Sequence, residues 1–337
     1  MNTPFFSIVI PVYNGLSHDL SVCLDSIWSQ SIETSLYEVI CVDDCSIDDT
    51  RSWLKEQQKK HCNLIVLENE ENIRQGGARN RGVEVAKGRY IMFIDQDDYY
   101  HQDSIIKVQE HLQEVDVDIL VCDSVYQFKG YEHNNLQLKL PFRDVTNSVD
   151  FVNKNGWAIA PWRMVFKKDL WTENNITFVE KVRLEDMDWG VKMYYYAKKI
   201  QYQPILLVHY NKGETSTTDN MYKNVVILKD NIKIANRIMD LANTLYFDSE
   251  IKNRVVFLAV LYYNYSCKYM LGLFCSIKEK VNLIAMIPNE CTTMTFVKAA
   301  KTAPLLFSIV SNLTVPLFRL VRKIHRLRSA KKLAKGF

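Results

Sequence analysis

Phe93-Ile94-Asp95-Gln96-Asp97-Asp98 is the stretch on which the reading of this chain turns. The apolar run 90–94 ends abruptly in an Asp-x-Asp. A short apolar run bounded by polar residues reads as a buried strand. Carboxylates at i and i+2 just past a strand can converge on one hard cation. Mg²⁺ or Mn²⁺ takes oxygen ligands and keeps substrate phosphates as co-ligands, so an acidic site can serve a phosphate substrate. Read alone, the same residues also fit an acidic turn that caps the next helix.

Working outward, strand and helix patterns alternate over the first 125 residues. Apolar runs at 5–11, 38–42, 64–67 and 118–122 read as further strands. Leu20, Leu24, Ile27 and Trp28 recur at helical spacing, and 76–86 and 101–114 read as helices. Such alternation predicts an α/β fold with a mostly parallel, doubly wound sheet. Ligands of such sheets bind beyond the carboxyl ends of the strands. Residues 126–215 are less regular, with strands near 125–128, 164–166 and 205–209 and a helix over 186–198. From 220 to about 300 the pattern is helical.

Two more clusters follow strands. Asp43 and Asp44 close the run Val39-Ile40-Cys41-Val42, and an Asp there can accept hydrogen bonds from a base or ribose. Asp48 and Asp49 read as helix caps. Next comes Asn72-Ile73-Arg74-Gln75-Gly76-Gly77-Ala78-Arg79-Asn80-Arg81-Gly82. Paired glycines at a helix start allow close backbone approach, the helix N-terminus favours anions, and Arg79 could reach a diphosphate. Neither GxGxxG nor a Walker loop is present, which disfavours a nicotinamide or ATP enzyme.

These motifs, in order and preceded by Ser7-Ile8-Val9-Ile10-Pro11-Val12-Tyr13-Asn14, resemble the inverting glycosyltransferases of family 2, over about the first 115 residues. The resemblance implies a GT-A fold, Rossmann-like with flanking helices, and a nucleotide-diphospho-sugar donor, UDP-sugars by default. It implies that Pro11, Tyr13 and Asp44 face the nucleotide, that Asp97 ligates Mg²⁺ or Mn²⁺, that Asp95 touches ribose or a metal-bound water, and that Arg79 holds the donor. Downstream, Arg183-Leu184-Glu185-Asp186-Met187-Asp188-Trp189 resembles the family's acceptor-side Glu-Asp pair. It implies Asp186 as general base, with Glu185 beside the substrate. A sugar hydroxyl must lose a proton as it attacks, and a carboxylate of ordinary pKa near 4 suffices when the leaving diphosphate is stabilised. A helix N-terminal acidic pair is the structural alternative. Val208-His209-Tyr210 followed by Thr215-Ser216-Thr217 resembles a segment whose His reaches metal in some members. Trp162, with Trp157 and Arg163, could line the acceptor site, though core packing suits Trp equally. Cys45 stands where the family commonly has Gly, and Tyr99 where Trp is frequent.

Composition agrees with a globular protein. Of 337 residues, 47% are apolar and 24% charged, which excludes collagen-like, disordered and disulfide-scaffold classes. Eight cysteines show no paired CxxC, so a zinc site is not expected, and the chain reads as cytoplasmic. The net charge of +3 hides an asymmetry. The first 290 residues hold 32 basic against 39 acidic residues, whereas the last 47 carry ten Lys or Arg and no acid. Residues 305–321 are apolar but too short and too polar for a span of about 20 residues. They predict an interfacial segment on an anionic inner membrane face, against a final core helix with a soluble basic tail. The acidic body argues against nucleic acid.

The expected organisation is therefore a catalytic domain over 1–215, with a nucleotide-sugar half to about 125 and an acceptor half from about 126. A helical region follows over 216–300, then a basic amphipathic tail over 301–337. The expected acceptor is a glycan or lipid-linked glycan in cell-surface polysaccharide synthesis, extended by one or few sugars. A catalytically silent module that binds sugar nucleotide or glycan is the competing reading.

Overall fold

In the computed structural model the described residues are 3–128, 136–138, 140–212, 224–271, 273, 275–288 and 295–312. Two compact units divide the chain: Met1–Phe128 with Asn135–Lys212, and Lys129–Asn134 with Gly213–Phe337.

The first unit carries β1 (Phe6–Val12), α1 (Leu20–Trp28), β2 (Tyr37–Asp43), α2 (Thr50–Lys60), β3 (Leu64–Glu68), α3 (Arg74–Val85), β4 (Tyr90–Phe93) and β5 (Tyr99–Tyr100). It continues with α4 (Ser104–Glu114), β6 (Ile119–Phe128), β7 (Leu136–Leu138), α5 (Ser148–Asn155), β8 (Met164–Lys167), α6 (Lys168–Glu173), α7 (Asp186–Tyr196) and β9 (Ile200–Lys212). The sheet order is β3-β2-β1-β4-β8-β6-β9-β5, with β7 on β6. The first four strands are mutually parallel. Every residue of β1, β2 and β4 is buried, as expected for strands covered on both faces.

The sequence places the strand at 118–122 as the fifth of one parallel run. In the structure β8, from the irregular region, lies antiparallel between β4 and β6. Among the described residues, six of the nine strands, β1 included, run in one direction, so the sheet is mixed but mostly parallel. Pro11 is tolerated in a central strand for a local reason. Val9 O accepts from Ile94 N and Val12 O from Asp44 N, on opposite sides of β1. The Pro11 nitrogen therefore faces the β4 side, beyond the last β4 residue, where no ladder bond is lost.

Under β4 lies an aromatic cluster. Phe93, Phe166, Trp171, Phe178 and Trp189 meet edge-on, tilted or stacked, with Phe178 and Trp189 centroids 4.7 Å apart. It fixes the loop before α7 against β4, which matters below.

The second unit is helical: α8 (Val225–Thr244), α9 (Ser249–Met270), α10 (Ile277–Ala285) and α11 (Thr295–Thr302), then a helical stretch over 304–312. Asp248 caps α9 by accepting from Glu250 N and Ile251 N, and Ser276 with Glu279 forms a capping box on α10. The boundary expected at 300/301 falls inside α11. The expected segment Thr215–Thr217 and the basic run 319–335 lie outside the described residues. Among the described residues, no helix is long and apolar enough to cross a membrane.

Candidate functional site

The candidate residues of the first unit gather beyond the carboxyl ends of β1, β2 and β4, with the start of α7 closing one side. Asp44 sits at the end of β2 and is buried. Its Oδ1 accepts from Asn69 Nδ2 (2.7 Å) and Ile73 N (2.8 Å), and its Oδ2 from Arg74 N (2.7 Å). Arg74 has φ 66°, a left-handed conformation costly for a residue with a Cβ. The Asp44 carboxylate holds that turn and so sets where α3 begins.

Tyr13 is two-fifths exposed at the end of β1. Its backbone N–H donates to Gln96 Oε1 (2.8 Å), and its carbonyl accepts from Gln96 Nε2 (2.9 Å). The middle residue of the Asp-x-Asp thus clasps the strand that carries Pro11 and Tyr13. Nothing in the sequence singled Gln96 out. Asn14, with φ 51°, accepts from Ile47 N through Oδ1 and donates its own N–H to Ser46 Oγ, tying the two loops together.

Arg79 is the centre of the site. It is 3% exposed, and its guanidinium donates to Asp95 Oδ1 (2.6 Å) and to Glu185 Oε1 (2.7 Å). It also lies over the rings of Phe93 and Phe178, 5.8 and 5.3 Å from their centroids. Its contacts here are with carboxylates, where the resemblance implied contact with the donor. Asp95 and Glu185 are ninety residues apart in sequence, and one side chain joins them.

Two neighbours of Arg79 make this reach practicable. A Cβ on Gly76 would stand 2.7 Å from Val179 O and 2.8 Å from Glu185 Cγ, so only glycine lets the 178–185 loop lie on α3. Asn80 then clasps that loop, donating Nδ2 to Phe178 O (3.0 Å) and accepting from Phe178 N (2.8 Å) through Oδ1. The sequence singled out Arg79 but not its neighbour Asn80.

Glu185 and Asp186 stand at the N-terminus of α7, where helix dipoles favour carboxylates. Even so, burial holds the Glu185 carboxyl above its usual range, against the pull of Arg79. Asp186 is pushed up to about 7, by burial first and then by the neighbouring charge of Glu185. The sequence reading took an aspartate of ordinary acidity, and the surroundings make it a stronger base. Leu184, with φ 65°, turns the chain into this helix.

Asp97 is exposed at the loop tip, and Asn211 Nδ2 donates to its carbonyl (2.7 Å). Asp98 is buried, accepts from Asn211 N (2.8 Å), and has a carboxyl raised well above the ordinary range by burial and by Asp95 and Asp97. Among the described residues, no three His, Cys, Asp or Glu side chains converge as a metal-binding group. The Asp-x-Asp still fits Mg²⁺ or Mn²⁺, because Asp97 is an exposed carboxylate at the loop tip and these ions take further oxygens from phosphates and water.

Two implied residues are turned to other partners. His209 Nε2 lies 3.0 Å from His101 Nδ1, His209 Nδ1 lies 3.2 Å from Gln127 Nε2, and its ring stacks on Tyr99. Both ring nitrogens are thus engaged, one by Gln127 of β6 and one by His101 just past β5. Trp162 is 8% exposed and stacks on Tyr210 at 5.1 Å, within the core cluster. Arg163 donates Nε to Cys122 O and is buried, and Trp157 meets Tyr194 edge-on.

Residues 7–173 match the family model described as glycosyl transferase family 2. The chain is 37% identical over 198 residues to a poly(ribitol-phosphate) beta-glucosyltransferase of Bacillus spizizenii. That match covers 58% of this chain but only 30% of the relative's length. The fold is similar to Staphylococcus aureus TarS 1–349 in complex with UDP-GlcNAc, with TM-score 0.65 and 20% identity over 96% of this chain and 91% of that one. It is also similar to the mannosyltransferase PcManGT of Pyrobaculum calidifontis in complex with GDP-Man and Mn²⁺, with TM-score 0.55 and 17% identity over 93% and 88% of the two chains.

Proposed function

The chain belongs to glycosyl transferase family 2, and on that premise we propose that it transfers one sugar, with inversion, from a UDP-sugar to a hydroxyl of a cell-surface polyol-phosphate or glycan polymer. The observation that carries the reading is the Arg79 bridge. It ties Asp95, on the donor-side loop, to Glu185, next to the raised carboxyl of Asp186. An acidic donor loop and a proton acceptor are what glycosyl transfer from a diphosphate requires, and one buried cation ties that loop to the residue next to the acceptor.

In this reading Asp44, Pro11 and Tyr13 shape the nucleotide end. Asp97 and Asp95 would hold Mg²⁺ or Mn²⁺, which when bound supplies positive charge to the leaving diphosphate. The acceptor oxygen attacks the anomeric carbon from the face opposite the diphosphate. Its C–O bond forms as the bond to the diphosphate oxygen breaks, and Asp186 takes the hydroxyl proton. A base whose pKa lies near the working pH combines a useful unprotonated fraction with real proton affinity. The donor and acceptor classes are supported by the UDP-GlcNAc bound to TarS and by the poly(ribitol-phosphate) named for the Bacillus relative. Mn²⁺ is supported by the PcManGT complex.

The test is release of nucleoside diphosphate from a panel of UDP-, GDP- and dTDP-sugars, with Mn²⁺ and with chelator, in the parent and in Asp186→Asn. Metal-dependent release from a UDP-sugar is expected. The variant should lose about 10²–10⁴-fold in turnover while still binding donor. Donor binding without turnover under any acceptor, unchanged in Asp186→Asn, would sink the enzyme reading in favour of the silent module.

A further inference from the structure

The helical stretch 304–312 in the second unit is built inside out. Its inward side is polar: Ser308 and Ser311 are fully buried. Lys280 Nζ, itself buried, donates to Ser311 Oγ (2.7 Å) and to Met270 O (2.7 Å), and Asn312 Nδ2 donates to Cys275 O (2.9 Å). These bonds tie the helix to the segment 270–280. Its outward side is apolar: Leu305 and Leu306 are each 61% exposed, Val310 44% and Ile309 38%. Residues at i, i+1, i+4 and i+5 share one helix face, so these four make one stripe. A helix of a water-soluble protein normally turns its apolar stripe inward.

We infer that this stripe is a membrane-docking face, and that the surface it takes is an anionic phospholipid bilayer. Charge selects the occupant. No acidic residue follows Glu290, while Arg319, Arg322, Lys323, Arg326, Arg328, Lys331, Lys332 and Lys335 follow the stripe. Arg319 is seven residues beyond Asn312, so even a fully extended chain keeps it within about 25 Å of the helix. An apolar stripe next to a polybasic run is the pair of features that holds a helix in the plane of an anionic leaflet. A second copy of this chain is a poorer partner, because a two-fold contact on this face would bring two such basic runs together. The inference is independent of the catalytic reading.

The experiment is co-sedimentation of the full chain with phosphatidylcholine vesicles, with and without phosphatidylglycerol. It compares the parent with Leu306→Gln combined with Ile309→Gln. Both positions are exposed and glutamine is a good helix former, so the fold should hold, and an unchanged Tm checks that. The parent should bind only the vesicles containing phosphatidylglycerol. The double variant should bind them at least about tenfold more weakly at equal charge. Three results would each overturn the inference: no binding of the parent to either vesicle, equal binding of parent and variant, or a parent dimer in sedimentation that the variant dissociates without lipid.

Discussion

Asp44 and Asp186 are both candidate site carboxylates held by protein, yet they are held in opposite ways. Asp44 is met by neutral donors: two backbone N–H groups at the start of α3 and the Asn69 amide. These all lie within thirty residues of it, so the donor-side loops are set by short-range hydrogen bonds. Asp186 lies beside Glu185, whose Oε1 is bound by a buried guanidinium from 106 residues away. Burial leaves both carboxyls with raised proton affinity. One region uses a carboxylate to fix a backbone, and the other uses the fold to tune a carboxylate. The comparison teaches that an acidic pair in the sequence can mark an anchor or, in the reading proposed, a base. The partner's charge decides which.

The sharpest way to break this contrast is Arg79→Met. It leaves Asp95 and Glu185 near each other with no cation between them. Removing one partner of a buried ion pair costs about 3–5 kcal/mol. Denaturant unfolding should show a loss of that size, and Arg79→Lys should recover only part of it, because one ammonium lacks the two-armed reach. A loss below about 1 kcal/mol, as for an exposed pair, would mean that Arg79 does not organise the site. A smaller effect is expected on the other side. Asp44→Ala strands three donors but no charge, and should cost about 2–3 kcal/mol by the same measurement. If it cost more than Arg79→Met, the roles assigned to the two regions would have to be exchanged.

Much of this was legible before any coordinates. The strands β1 to β4 are short apolar runs ended by polar residues, and the helices between them predict the parallel pairing that is found. The placement of β8 was not legible. Met164–Lys167 is four residues with no turn signature of its own, and it enters the sheet by filling the gap between β4 and β6. The carboxylates were legible because strand ends advertise them. Their partners were not, because Arg79 to Glu185 and Asn80 to Phe178 are tertiary contacts about a hundred residues apart. Gly76 was legible as a close approach, but what approaches it, the Glu185 side chain, was not. Trp162 carried two readings in sequence, and its stacking on Tyr210 and its burial favour the core one.

The pH dependence of turnover sharpens the contrast with the smallest expected effect. With Asp186 pushed up to about 7, the acid limb of acceptor-dependent turnover should have its midpoint near neutrality rather than near the ordinary aspartate value of about 4. Glu185→Gln removes a negative neighbour that raises Asp186 and leaves the positive Arg79, which lowers it. With the raising charge gone and the lowering one kept, the acid limb should move down in pH, by about one unit. The linked stability should follow the same sign. A carboxyl whose folded pKa exceeds its unfolded one binds more protons when folded, so its contribution is full below about pH 4 and is lost as pH rises through about 7. Asp186→Asn should therefore flatten the fall in stability across that window. Asp44→Ala, which removes an anchor and not a tuned base, should leave the acid limb where it was. A limb that moved with Asp44→Ala and stayed fixed with Glu185→Gln would assign the tuned proton to the wrong side of the site.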